Sequence, residues 1–133
     1  MQEIKRVVNY KDFEIYKLGK ELAIKVHRIT LNALPKFEMY EEGSQIRRSS
    51  KSIVSNLIEG FGRRRYKNEF IKFLTYAIAS CDETKVHLEM LYETNSLSKK
   101  AFNDLYYAYE KLGAKLYNFR QSVIEKHNIF KES

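Results

Sequence analysis

The chain has a single cysteine, Cys81, so it cannot close a disulfide within itself. That usage fits a reducing compartment. One proline and five glycines in 133 residues leave few breakpoints. With no Asn-Gly or Asp-Gly hairpin signal, this composition favours long helices over a strand-rich fold. No window approaches the roughly 18 uninterrupted apolar residues that a membrane span requires. The first ten residues mix Lys5 and Arg6 with brief apolar pairs and lack the apolar stretch of a secretory leader. These absences predict a soluble, cytoplasmic protein with no membrane partner. At this length one domain is expected over 1–133, its core spanning about 10–127. Such a chain buries enough surface to need no metal or covalent staple.

Apolar residues recur at intervals of three and four in four segments, the spacing that keeps one stripe of a helix facing inward. The first follows Asp12 as its N-cap, runs along Ile15, Leu18, Leu22, Val26, Ile29 and Ala33, and stops before Pro35. An acidic loop over 36–43 leads to the second, from about Ser44 to Glu59, whose apolar face is Ile46, Ile53, Val54, Leu57, Ile58 and Phe61. Gly60 and Gly62 are expected to stop it, since glycine readily takes the left-handed conformation of a helix C-cap. The third begins near Asn68 with the seam Phe70, Phe73, Leu74, Ala77, Cys81, Thr84, Leu88 and Leu91, and ends at Thr94-Asn95-Ser96. The fourth follows Ser98 and carries Ala101, Leu105, Ala108, Leu112, Leu116, Phe119 and Val123 as far as about Lys126, leaving a frayed tail. Four amphipathic helices with short connections predict an all-α, antiparallel up-down four-helix bundle.

Positive charge is concentrated. Residues 44–67 hold seven Lys or Arg against one acid, a net +6 of the chain's +7. A charge cluster makes a local field that attracts polyanions, whereas dispersed charge mainly confers solubility. With a pI near 9.4, a nucleic acid is a natural partner. Arg47, Arg48, Lys51, Arg63, Arg64, Arg65 and Lys67 are the candidate phosphate contacts, with Tyr66 placed to stack on a base. The bland alternative is a solvated charge run. Within the same segment Gln45, Ser49, Ser52 and Asn56 fall on one line of the second helix at about 100° per residue. Small hydroxyl and amide side chains permit close approach of another helix or subunit, so these four, with Glu59 beside them, are the candidate oligomer interface. The alternative for them is simple exposure. The glycines around Phe61 are no nucleotide fingerprint: there is no G-x-x-x-x-G-K-[ST], and no strand precedes them.

Signals for catalysis are weak. His27, His87 and His127 are far apart, and Glu83 with His87 makes at most half a metal site, more simply read as a local hydrogen bond. Cys81 lies mid-seam, as a buried structural thiol does. No catalytic triad or zinc-ligand spacing is present. No enzyme activity, cofactor or metal is expected. Tyr106, Tyr107 and Tyr109 cannot share one helix face, so at least one of them belongs at a surface.

Gln45, Arg47, Arg48, Ser52, Ile53, Asn56, Glu59, Gly60 and Gly62-Arg63-Arg64, followed by Phe70, Phe73, Leu74, Ala77, Ser80 and Glu83, closely resemble the 23S rRNA intervening-sequence proteins. Tyr10-Lys11-Asp12-Phe13 and the last helix fit that pattern more loosely, so the resemblance covers about 10–126. Val54 stands where relatives often carry proline, which implies a straighter second helix, and Ser49-Ser50 stand where they often carry two alanines. The resemblance implies a four-helix bundle assembled as a homopentamer, encoded in or derived from a large-subunit rRNA gene, with no enzymatic activity. Related proteins accompany reverse transcriptases of diversity-generating retroelements, which makes rRNA, other nucleic acid or a reverse transcriptase the implied partners. Two readings follow: an oligomeric nucleic-acid-binding bundle, or an adaptor whose basic region engages an acidic protein.

Overall fold

In a computed structural model, residues 9–131 are described. Helix α1 spans Glu14–Asn32, α2 Glu42–Gly62, α3 Lys67–Glu93 and α4 Lys99–Lys131, with short 3-10 turns at Tyr10–Asp12 and Lys36–Met39. Each helix packs on two neighbours, α1–α2, α2–α3, α3–α4 and α4–α1, while the pairs α1/α3 and α2/α4 are diagonal, without close backbone approach. Cross-helix bonds run antiparallel: Arg47 reaches Thr30, Ser52 reaches Ser80, and Arg120 reaches Thr75. The result is the expected up-down bundle.

The seams form the core. Val26, Ile46, Ile53, Leu74, Ala77, Cys81, Leu88, Leu112, Leu116 and Val123 are all buried. Tyr109, outside the sequence-derived seam, is fully buried beside them, whereas Ile58, assigned inward, is exposed. One end of the bundle closes on aromatic rings. Phe70 meets Phe61, Phe119 and Phe130 edge-to-face at 6.1–6.3 Å, and Phe13 meets Phe61 at 5.1 Å. That geometry sets each ring's positive edge against its neighbour's negative face.

Helix ends required correction. Asp12 does not cap α1. Its carboxylate accepts from the Asn9 N–H at 3.3 Å inside the 3-10 turn, while Phe13 occupies the cap without a side-chain bond. Gly60 and Gly62 do not stop α2; both lie within it, and no described glycine has positive φ. At Gly60 the requirement is closeness, since a Cβ there would lie 2.9 Å from Phe73 Cβ. Asn95 does take the left-handed conformation, φ 65°, at the turn after α3. Ser98 caps α4 as expected, accepting from Ala101 N–H at 3.2 Å. The expected frayed tail is ordered through Lys131: after a kink at Lys126 the chain turns helical again and lays Phe130 on Phe70 and Phe119. Residues 132–133 lie outside the described residues.

Candidate nucleic-acid interface

The basic segment divides according to what each cation already touches. Arg47 is half-buried, donating to Thr30 Oγ1 at 3.0 Å and to the Met39 carbonyl at 2.7 Å. It pins the α1–α2 connection and is not available to phosphate, contrary to the sequence expectation. Arg63 donates to Glu59 at 3.0 Å and Glu69 at 3.3 Å and lies 5.1 Å over the Phe73 ring, so two carboxylates already meet its charge. Arg64 stacks 4.4 Å over Phe61 and donates to that residue's carbonyl at 3.0 Å, while His127 Nε2 approaches the Arg64 carbonyl at 2.7 Å. Both arginines hold the α2–α3 corner together.

The remaining cations are exposed. Arg65 and Lys67 project from the corner with no ion pair among the described residues, and Tyr66 between them is 65% exposed. Arg48 donates to Gln45 Oε1 at 3.2 Å and has no ion pair among the described residues. Lys51 stands on the outer side of α2, on the rim of an open groove of about 570 Å³ between α1 and α2. Lys20 and Arg28 share that rim, Ile24 and Ile58 help line it, and His27 keeps a buried Nδ1 without a partner. Sequence reading missed this groove. Its signal was the run Lys17, Lys20, Lys25 and Arg28 on α1, hidden because acids elsewhere cancel it in the net sum.

The polar ribbon has a different use from the one expected. Ser49 is buried, its Oγ 2.8 Å from Thr84 Oγ1; Ser52 Oγ lies 2.9 Å from Ser80 Oγ; Asn56 donates back to the Ser52 carbonyl at 2.9 Å. Ser49 and Ser52 therefore serve the α2–α3 contact inside one chain, where small side chains let two helices approach, and buried Ser49 is withdrawn from an intersubunit role, while Asn56 bonds only within α2. Gln45 and Glu59 stay on the surface, paired with Arg48 and Arg63.

Glu83 and His87 bond locally at 3.2 Å, and His87 Nδ1 also meets Glu42 at 2.7 Å, tying α3 to the start of α2. Among the described residues no group of three potential ligands is placed to hold a metal ion. No helix there is long and apolar enough to cross a membrane. Tyr107 is the surface member of its trio, and Tyr106 donates to Glu89 at 2.9 Å.

Burial pushes the Cys81 thiol up to about 11, only partly offset by nearby Lys85, and its S–H points to the Tyr109 carbonyl at 3.4 Å. The neutral thiol is a poor nucleophile. An unfolded thiol titrates near 9.0, so the folded state keeps a proton that the unfolded state releases. Stability from this group is complete below about 9 and is lost as pH climbs toward 11. Urea midpoints at pH 7 and 10 should fall for wild type and fall less for Cys81→Ala; equal falls would remove Cys81 as a contributor. At pH 7 a thiol reagent should label Cys81 only as fast as the fold opens.

Comparison with known proteins gives a consistent placement. The sequence model of the family described as 23S rRNA-intervening sequence protein matches residues 11–118. A search of curated proteins finds no match. Among solved structures, a protein of unknown function from the S23 ribosomal protein family of Bacteroides thetaiotaomicron superposes with a TM-score of 0.74 at 20% identity, covering 80% of this chain and 95% of that one. At that identity the likeness concerns the fold. With the family pattern matched across most of the bundle, the chain belongs to the 23S rRNA-intervening sequence protein family.

Proposed function

We propose that this protein is a non-enzymatic, self-assembling basic bundle that binds RNA or DNA through the phosphate backbone. The observation that carries this reading is the α2–α3 corner, where Arg65 and Lys67, with no ion pair to a described residue, stand on either side of a Tyr66 that is 65% exposed. Guanidinium and ammonium groups there can displace condensed counterions, and an exposed ring offers a stacking face indifferent to base identity. Arg48 and Lys51 extend the positive surface along α2. Contacts of this kind position a polyanion without reading its sequence.

Filter binding of structured rRNA fragments at two salt concentrations tests the proposal. Binding should weaken steeply with salt, and Arg65→Ala/Lys67→Ala should reduce the log–log salt slope by roughly 1.5–2, about 0.7–0.9 per lost phosphate contact. Arg63→Ala should change it less, because Glu59 and Glu69 already occupy that guanidinium. No retention at low salt, or equal effects from the two variants, would overturn the reading. An acidic protein such as a reverse transcriptase, retained after nuclease treatment, would assign the corner to an adaptor.

A further inference from the structure

We infer that the nucleic acid is held as a single strand in the valley between α3 and α4, with Tyr117 as a second stacking position and Arg120 holding a phosphate beside it. The inference rests on the nucleic-acid reading of the α2–α3 corner and names the form of the ligand and its path.

The valley begins at that corner. Lys67, Ile71 and Thr75 are four apart and share one line of α3. Ile124, Arg120 and Tyr117, spaced by four and three, share one line of α4. The Arg120 guanidinium joins the two lines, donating to Thr75 Oγ1 at 3.1 Å. One turn from that bond toward the corner come half-buried Ile71 on α3 and Ile124, 37% exposed, on α4. The end of α4 meets the corner itself, where His127 Nε2 lies 2.7 Å from the Arg64 carbonyl.

Arg120 is the reason to follow the valley. It is half-buried, lies 5.3 Å over the Tyr117 ring and pairs with no carboxylate among the described residues. Its Nε is buried without a hydrogen-bond partner. A cation partly withdrawn from water needs a counter-charge, and a ring face supplies only a fraction of one. A phosphate supplies the rest and matches the guanidinium fork. The neighbouring charges leave this position positive. Glu69 is held between Arg63 and Lys72, at 3.3 Å from each, and Glu125 stands about 100° further round α4 than Ile124. The Lys85–Tyr106 pair on the same side of α4 is already answered by Asp82, 3.8 Å from Lys85.

Two units of the same make therefore lie in file: Lys67 with Tyr66, and Arg120 with Tyr117, whose ring is 50% exposed. Eight residues along α3 and three along α4 separate them, about 16 Å at 1.5 Å per residue. That is the length of about five stacked nucleotides at 3.4 Å each. Beyond Tyr117 the valley turns acidic, with Asp82 and Glu110 exposed two turns past Thr75 and Tyr117. The tyrosines select the form. A duplex stacks its base faces on one another, so a protein ring meets only its edges and backbone. An unpaired strand turns its bases out to a ring.

Fluorescence anisotropy of the full-length protein tests this with labelled oligouridine and with the same strand annealed to oligoadenosine. Wild type should bind the single strand more tightly. Tyr117→Ala, with wild-type circular dichroism, should weaken single-strand binding about 5- to 100-fold, the range for one lost stacking contact, and leave duplex binding within about two-fold. Tyr117→Phe keeps the ring and should bind as wild type does. Arg120→Gln should lower the single-strand salt slope by about 0.7, one phosphate. Equal losses on both ligands, a duplex bound as tightly as the single strand, or unchanged single-strand affinity in folded Tyr117→Ala would each overturn the inference. If Arg65→Ala/Lys67→Ala then still weakens binding, the corner reading stands without the valley; if wild type binds neither ligand at low salt, both fall.

Discussion

Phe70→Ala is expected to lower the unfolding free energy by about 3–5 kcal/mol, the cost of emptying a large aromatic site that cannot collapse. Phe70 is 1% exposed and meets rings from α2, from α4 and from the segment beyond the Lys126 kink. Its neighbours are themselves held by further rings, Phe13 on Phe61 and Phe119 on Phe130, so none can swing in to fill the gap. At roughly 3–4 °C per kcal/mol for a domain this size, the thermal midpoint should fall by about 10–20 °C. Phe37→Ala is the comparator: that ring is 67% exposed and its loss should stay within about 0.5 kcal/mol. A Phe70→Ala midpoint within a few degrees of wild type would mean the aromatic end is not packed as described. The variant should also loosen the basic corner, since Arg64 stacks on Phe61, one of the rings Phe70 supports.

Gly43→Ala and Gly62→Ala should move stability in opposite directions although both lie in α2. In a helix, alanine is favoured over glycine by up to about 1 kcal/mol. At Gly62 no atom lies within 4 Å of the added Cβ, so the change should stabilise, by less than the interior value because Gly62 is the last residue of α2. At Gly43 the Cβ would lie 2.5 Å from the Glu38 carbonyl oxygen and 3.3 Å from an Arg47 nitrogen. The oxygen cannot easily retreat. The Glu38 side chain accepts from Ser96 Oγ at 3.1 Å, and Arg47 holds the Met39 carbonyl at 2.7 Å, fixing both ends of the short turn. Overpacking of about 1–3 kcal/mol should exceed the propensity gain, leaving a net loss of roughly 1–2 kcal/mol. Urea denaturation of the two variants checks the sign. A stabilised Gly43→Ala would show that this connection yields.

The helices and most of the core were legible because burial leaves a period in the sequence. The α3 seam shows this best: of the eight residues assigned inward only Phe73 is less than buried. What could not be read was which atoms would meet across the bundle. Ser49 and Ser52 advertise close approach, but whether of a neighbouring helix or a neighbouring molecule depends on Thr84 and Ser80, 35 and 28 positions away. The arginines posed the same difficulty. Sequence reveals their charge and conceals the carboxylates and carbonyls that occupy Arg47, Arg63 and Arg64. Glycine misled at the end of α2 because its scarcity of atoms, rather than its conformational range, was the property in use.

The hydroxyl pairs between α2 and α3 bear on how the hairpin finds its alignment. Leucine and isoleucine pack acceptably at several offsets, so two apolar helices can slide past each other by a turn, about 5.4 Å, with little penalty. Ser49 with Thr84, and Ser52 with Ser80, meet at only one offset. Each hydroxyl of the buried pair can also turn to a carbonyl of its own helix, so a slip strands neither of them completely. What a slip loses is the bond across, at about 0.5–1.5 kcal/mol each. Two matched pairs then act as a vernier. They add modest strength, but they single out one sliding position among several that the greasy surfaces alone would accept.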